Sequence, residues 1–203
     1  MDQLFSRSTT SAYLYQATHD MNTAVERLTP EVLDGQTDDE VISNLVTRLG
    51  PRPVTLHREQ ERIDGPEQVQ IDSGHTFNYV PTHDGGPHLV PAARFTLVVP
   101  FDGSPALFDL TPSTYTLVVP SADIVGSSLW FTVEETTPDV AGIRGRFDGM
   151  VRGVQQWIDN VNADVMRELD AWRRQAVARV AAQRTRLASY RRVGEGLSAA
   201  PTV

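Results

Sequence analysis

Arginine and histidine are the side chains with which this chain could do chemistry, and the densest run of arginines lies towards the opposite end from all the histidines. Eight arginines (Arg167, Arg173, Arg174, Arg179, Arg184, Arg186, Arg191 and Arg192) stand between residues 165 and 192, opposed there only by Glu168 and Asp170. A guanidinium offers a planar fork of donors that fits carboxylate and phosphate equally well. The residue type therefore points to an anion without choosing between acidic protein, nucleic acid and the chain's own carboxylates. At about 100° per residue, Arg167, Arg173, Arg174, Arg184, Arg191 and Arg192 share one side of a helix, away from its apolar side, and form the candidate anion or partner contact. Arg179 and Arg186 fall outside that arc.

All five histidines precede residue 89. His75, His83 and His88, with Asp84, share one loop rich in glycine and proline. Three imidazoles and a carboxylate suit zinc, yet the spacing matches neither a zinc finger nor an H-E-x-x-H helix. These are the metal candidates, set against a plain solvated loop, and no cofactor is expected. Among the acids, Asp38, Asp39 and Glu40 are explained by helix capping, and Asp102 by a turn. No G-x-S-x-G or G-x-G-x-x-G motif is present. Residues 160–164 superficially resemble a calcium loop but lack its central glycine and closing glutamate, and read as helix surface.

Two absences exclude whole reaction classes. The 203 residues contain no cysteine, which removes disulfides, thiolate metal sites and a cysteine nucleophile. All 18 basic residues are arginine, which removes the Walker A phosphate loop, the ATP-binding lysine of kinases and the pyridoxal Schiff base. GC-rich bacterial coding produces such a composition, and avoidance of lysine-directed modification is the alternative. The net charge of −8 is unevenly spread: −7 over residues 1–100, −6 over 101–140 and +5 over 141–203. An acidic body of this kind repels phosphate, which leaves the C-terminal segment as the contact surface. No run of 18 apolar residues occurs, so no membrane partner is expected, and the N-terminus has no secretory leader pattern, so the location expected is cytoplasmic.

The elements that must carry these residues follow from periodicity. Residues 8–28 repeat apolar side chains every three or four positions, as a helix does. Thr29-Pro30 opens a short turn, and Thr37 with Glu40 forms a capping box before a helix that stops at Gly50-Pro51. From 53 to 135 the period falls to two. Strands are expected at 54–57, 69–72, 77–80, 95–99, 106–110, 114–119 and 128–133. Pro100-Phe101-Asp102-Gly103 reads as a hairpin turn. Thr96-Leu97-Val98-Val99-Pro100 recurs twenty residues on at 116–120, which suggests two strands in similar surroundings.

From 154 onward Val154, Ile158, Val161, Val165, Leu169, Trp172, Ala176, Val180, Gln183, Leu187 and Tyr190 repeat with a mean step of about 3.6, the helical period. Trp157 lies beside the stripe. Glycines at 142, 145, 149 and 153 suggest a break near the start, and Gly194-Glu195-Gly196 a stop. Residues 154–192 as one helix would span roughly 58 Å, more than a small domain covers. Val154, Trp157, Ile158, Val161, Val165, Leu169, Trp172, Val180, Leu187 and Tyr190 are therefore the candidate interface, to be buried by a second helix, a partner chain or another copy.

The segments around Pro100-Phe101-Asp102-Gly103, Leu107-Phe108, Pro112-Ser113 and Pro120-Ser121-Ala122, followed by a helix with Asn162-Ala163-Asp164-Val165 and Arg184-Thr185-Arg186-Leu187, resemble a module on the N-terminal side of larger multidomain bacterial proteins, some linked to anti-phage defence. The likeness covers residues 93–190. It implies a sensing or scaffolding module whose effector lies elsewhere. The fold expected is α+β: a helical N-terminal region (1–50), a small antiparallel β-barrel or sandwich (51–136), a long amphipathic C-terminal helix (137–193) and a flexible tail (194–203). The function expected is non-enzymatic recognition or assembly through the last helix, with a protein partner or a homo-oligomer. Nucleic-acid binding by the arginine face is the alternative, and a metal-dependent enzyme built on the 75–88 loop is the third reading.

Overall fold

A computed structural model describes residues 1–72, 89–114 and 118–198. In chain order the elements are β1 (Asp2–Gln3), β2 (Ser8–Thr9), α1 (Thr10–Glu26), α2 (Pro30–Gly35), α3 (Asp38–Leu49), β3 (Thr55–Leu56), β4 (Arg62–Asp72), β5 (Leu89–Asp102), β6 (Leu110–Thr111), β7 (Ser121–Val125), β8 (Ser128–Glu135) and α4 (Val140–Ser198). The chain mixes helix and strand, 57% and 26%, with a curled antiparallel sheet that forms a half-barrel and a long C-terminal helix. It divides into two units that are both discontinuous in sequence: residues 1–7 with 53–161, and residues 8–52 with 162–203. The long helix is therefore not a segment of its own, as the sequence order suggests. Residues 140–161 belong to the first unit and the remainder to the second.

The first unit is built on the sheet, in the order β1-β7-β8-β5-β3, with β4 also paired to β5. β8 alternates strictly: Leu129, Phe131 and Val133 are buried, opposite Val99, Leu97 and Phe95 of β5. In β5 the run Leu97-Val98-Val99 is buried without alternation, which happens where both faces of a strand are covered. Phe5, Phe101, Phe108 and Trp157 interlock beside the sheet, with ring centroids 5.4 Å apart for Phe5–Trp157, 5.8 Å for Phe5–Phe108 and 4.9 Å for Phe101–Phe108. Phe5 holds the left-handed region at φ 55°, a conformation that costs a non-glycine residue about 1–2 kcal/mol. Two hydrogen bonds fix it there: its N–H donates to the Phe108 carbonyl, and its carbonyl accepts from the Thr111 hydroxyl at 2.8 Å.

The Phe108 contact also corrects an expectation. Residues 106–110 are not a returning strand; Pro105–Asp109 form a 3-10 turn whose Leu107 and Phe108 are buried. The hairpin predicted at 100–103 does not form either. β5 continues through Asp102, where it pairs with β3, and Gly103 then turns at φ 108° where a Cβ would strike the Pro53 backbone. The strand expected at 77–80 lies outside the described residues. So do 115–117 of the one at 114–119, whose described residues 114, 118 and 119 are not strand. β7 was not anticipated.

The second unit is a helical cluster. Thr9 caps α1 by accepting from the Ala12 amide at 3.2 Å. The predicted capping box is present in α3: Thr37 Oγ1 accepts from the Glu40 amide, and Glu40 Oε2 accepts from the Thr37 amide at 2.8 Å. These helices bury Met21, Val25, Leu33, Val41 and Leu45 against Trp172, Ala176 and Val180 of α4. α4 itself runs unbroken through Gly142, Gly145, Gly149 and Gly153 and past Gly194 to Ser198, so neither the predicted break nor the predicted stop occurs. Isolated glycines cost a helix about 1 kcal/mol each, which burial of the surrounding stripe outweighs.

Two arginines join α4 to the helices beside it. Arg184 donates to Asp38 Oδ1 at 2.9 Å and to the carbonyls of Leu33 at 2.7 Å and Gln36 at 3.1 Å, which closes the α2–α3 turn. Arg191 makes one exposed ion pair with Asp34, at 2.6 Å. Arg184→Ala should lower the unfolding free energy by about 2 kcal/mol, because two backbone acceptors lose a charged donor. Arg191→Ala should cost less than about 1 kcal/mol. Urea denaturation of both variants checks the difference.

Candidate functional site

The residues singled out by sequence fall into three groups once placed. The first is the apolar stripe. Val154, Trp157, Ile158, Val161, Val165, Trp172 and Val180 are buried within the chain itself, Leu169 and Leu187 are half-buried, and only Tyr190 is exposed, at 64%. The stripe thus finds its cover at home: in the first unit Trp157 packs on Phe5, and in the second Trp172 and Val180 pack on α1–α3. Sequence periodicity identifies the buried face correctly but cannot say that residues from the far end of the chain supply the other half. Even its polar interruption has a local cause. Gln183 is buried, and its Nε2 donates to the carbonyls of Glu26 and Leu28 at 3.3 Å each, satisfying the C-terminal end of α1.

The second group is the arginine side of α4. Arg184 and Arg191 are committed to the intramolecular contacts described above, and Arg167 pairs with Asp164, one turn away, at 3.3 Å. Asp164 is itself buried, so residues 160–164 are not simply helix surface. On the arginine side Arg173, Arg174 and Arg192 are exposed and pair with no carboxylate among the described residues; Arg179 and Arg186, outside the arc, are exposed and likewise without an acidic partner. Elsewhere Arg7, Arg58, Arg62, Arg94, Arg144 and Arg146 have acidic partners, Arg146 with Glu135 and Arg58 with Asp148 at 2.7 Å, while Arg27, Arg48, Arg52 and Arg152 pair with no carboxylate among the described residues. Two apolar side chains on α4, Met166 and Val177, are more than half exposed near Arg173 and Arg174. Sequence reasoning missed both because each sits one or two positions off the stripe.

The third group is histidine. His75, His83 and His88, with Asp84, lie outside the described residues. Among the described residues no group of three histidine, aspartate or glutamate side chains is placed to hold a metal. His57 sits between two carboxylates: Nε2 is 2.9 Å from Asp102 Oδ2, and Nδ1 is 3.3 Å from Glu59 Oε1. With an acceptor at each nitrogen the ring is best satisfied as the doubly protonated cation. Its pKa is raised above the ordinary 6.5, first by the hydrogen bond to Asp102 and then by the charges of Asp102 and Glu59. Asp102 is thus the last residue of β5 and an ion-pair partner, and not the turn residue its type suggested. The pair joins the end of β5 to the residue that follows β3, and nothing in the local sequence signals it.

No family model, curated protein or solved structure matches the chain. No helix among the described residues is long and apolar enough to cross a membrane.

The protonated His57 contributes stability that is fully present below pH 6.5 and is lost as the pH rises through its raised folded value. NMR titration of the imidazole should therefore give a midpoint above 6.5, and Asp102→Asn should bring it down further than Glu59→Gln does.

Proposed function

We propose that this chain is a non-catalytic recognition or assembly module, and that the exposed arginine side of α4 in the second unit receives an acidic protein surface. The observation that carries the reading is the concentration of unpaired cations on one helix. A chain with 26 acids and 18 arginines has carboxylates in excess, yet Arg173, Arg174 and Arg192 on this side of the helix, and Arg179 and Arg186 off it, pair with none among the described residues. Exposed guanidinium groups keep their full capacity for bidentate contact. Met166 and Val177 favour a protein over nucleic acid, since a phosphate backbone has no use for exposed apolar side chains beside its cationic contacts.

A second copy of the chain meets the description of the partner. Residues 1–7 and 53–161 hold 15 acids and 7 arginines, so the first unit carries the whole net charge of −8, while the second unit has 11 of each. Charge complementarity of this kind speeds association and fixes orientation. The reading agrees with the role that the resemblance to N-terminal bacterial defence modules implies, in which an effector is carried elsewhere. Nucleic-acid binding by the same arginines is the alternative.

The test is light scattering with absorbance at two wavelengths on freshly purified protein, followed by titration with poly-L-glutamate and with duplex DNA. The expected result is protein free of nucleic acid that binds the acidic polymer in a salt-sensitive manner, with Arg173→Glu plus Arg174→Glu weakening binding about tenfold or more. Co-purified nucleic acid, or tighter binding of the duplex lost in the same variant, would replace this reading with the nucleic-acid one. Binding to neither polymer, together with a monomeric mass, would overturn both.

A further inference from the structure

Among the described residues the sheet of the first unit has an open edge that faces a cleft. β7 pairs with β8 only as far as Asp123 opposite Trp130; its remaining residues, Ser121 and Ala122, pair with β1 instead. On that side β8 continues from Phe131 to Glu135 with no strand partner among the described residues. The amide of Thr132 points to this side, since it donates to the thioether sulfur of Met1 at 3.5 Å. Antiparallel alternation sends the Glu134 amide the same way. A thioether is a weak acceptor, so at least one ladder position of β8 is served by a substitute.

The space beside this edge is a cleft of about 700 Å³ that lies wholly within the first unit, in the size range of ligand sites. Val119 and Pro120 form one wall, Met150 and Trp157 line the helix side, and Gly149 and Gly153 of α4 lie between. A Cβ on either glycine would meet nothing within 4 Å, so the helix leaves room there for another chain to approach closely. The two ionic side chains at the cleft are already matched within the unit: Arg146 pairs with Glu135, and Glu134 with Arg94 at 2.8 Å. What remains on offer is backbone donors on one side and apolar surface on the other. That is the combination that binds an extended peptide by strand addition, with main-chain bonds giving affinity and alternate side chains entering the apolar side.

We infer that this cleft binds an extended segment of a partner protein as an added strand on β8, with alternating apolar residues facing Met150 and Val119 and basic residues flanking them. The basic flanks follow from charge, because the unit that surrounds the cleft carries −8. The bound strand takes over the Thr132 amide from the Met1 sulfur. This site is independent of the arginine side of α4 and stands whether or not that surface has a partner.

The probe is a synthetic capped hexapeptide of sequence Arg-Val-Thr-Val-Thr-Arg. Hydrogen exchange and amide NMR of the full chain should show added protection at Thr132 and Glu134, with a change in Trp157 fluorescence. An N-methylated version of the peptide should bind at least tenfold more weakly, since it keeps the side chains and loses the backbone donors. The version flanked by glutamate should also weaken about tenfold. Gly153→Leu fills the open space and favours the helix, so the variant should fold and lose binding, while Gly145→Leu, outside the cleft, should retain it. No protection at millimolar peptide, equal binding of the N-methylated probe, or unchanged affinity in Gly153→Leu would each overturn the inference.

Discussion

A helix of 59 residues with an apolar stripe along most of its length must have that stripe covered, and the rest of this structure is arranged around that requirement. Burying a large apolar side chain contributes about 1.5–3 kcal/mol, so leaving Trp157, Ile158, Trp172 and Val180 in water together is not sustainable for a domain of ordinary stability. The chain solves this with two kinds of partner: an aromatic cluster beside a curled sheet for Trp157, and three short capped helices for Trp172 and Val180. Each solution sets its own chemistry. Against the sheet the contacts are rings; against the helices they are rings and aliphatics, finished at the edge by Gln183 and Arg184, which satisfy backbone carbonyls at the ends of α1 and α2.

Those polar contacts decide what α4 has left to offer. Its apolar side is consumed within the chain, and Arg184, Arg191 and Arg167 are held by nearby carboxylates. What remains is cationic, exposed and interleaved with Met166 and Val177. The helix is therefore buried on one side and carries exposed arginines elsewhere, and a substitution on the buried side would act on stability first.

Much of this was legible in sequence where the cause is local. The capping box of Thr37 and Glu40 and the 3.6 period of α4 are written in neighbouring residues, and so is the alternating strand β8. Legibility fails where the cause is remote. Residues 106–110 alternate weakly like a strand, yet Pro105 and the approach of Phe5 from the other end of the chain make them a 3-10 turn. The glycines of α4 predict a break that burial of Phe147, Val151 and Val154 prevents. The arginines at 184 and 191 looked like surface because their partners, Asp38 and Asp34, are 146 and 157 positions away in sequence. The pairing of His57 with Asp102 was hidden for the same reason, and with it an imidazole held between two acids.

The interleaving of the two units has a consequence for the order in which the molecule can be made. The helices α1–α3 leave the ribosome well before the side chains that complete their cluster, Trp172, Ala176 and Val180. Every residue from 53 to 161 is synthesised in between. During that interval Met21, Val25, Leu33 and Val41 have no permanent cover, and three helices of 17, 6 and 12 residues are too short to persist unaided in water. The sheet unit, by contrast, can close once residue 161 has emerged. The helical cluster is thus begun before the sheet unit and completed after it, and its exposed apolar face is what a chaperone or a nascent-chain protease would meet.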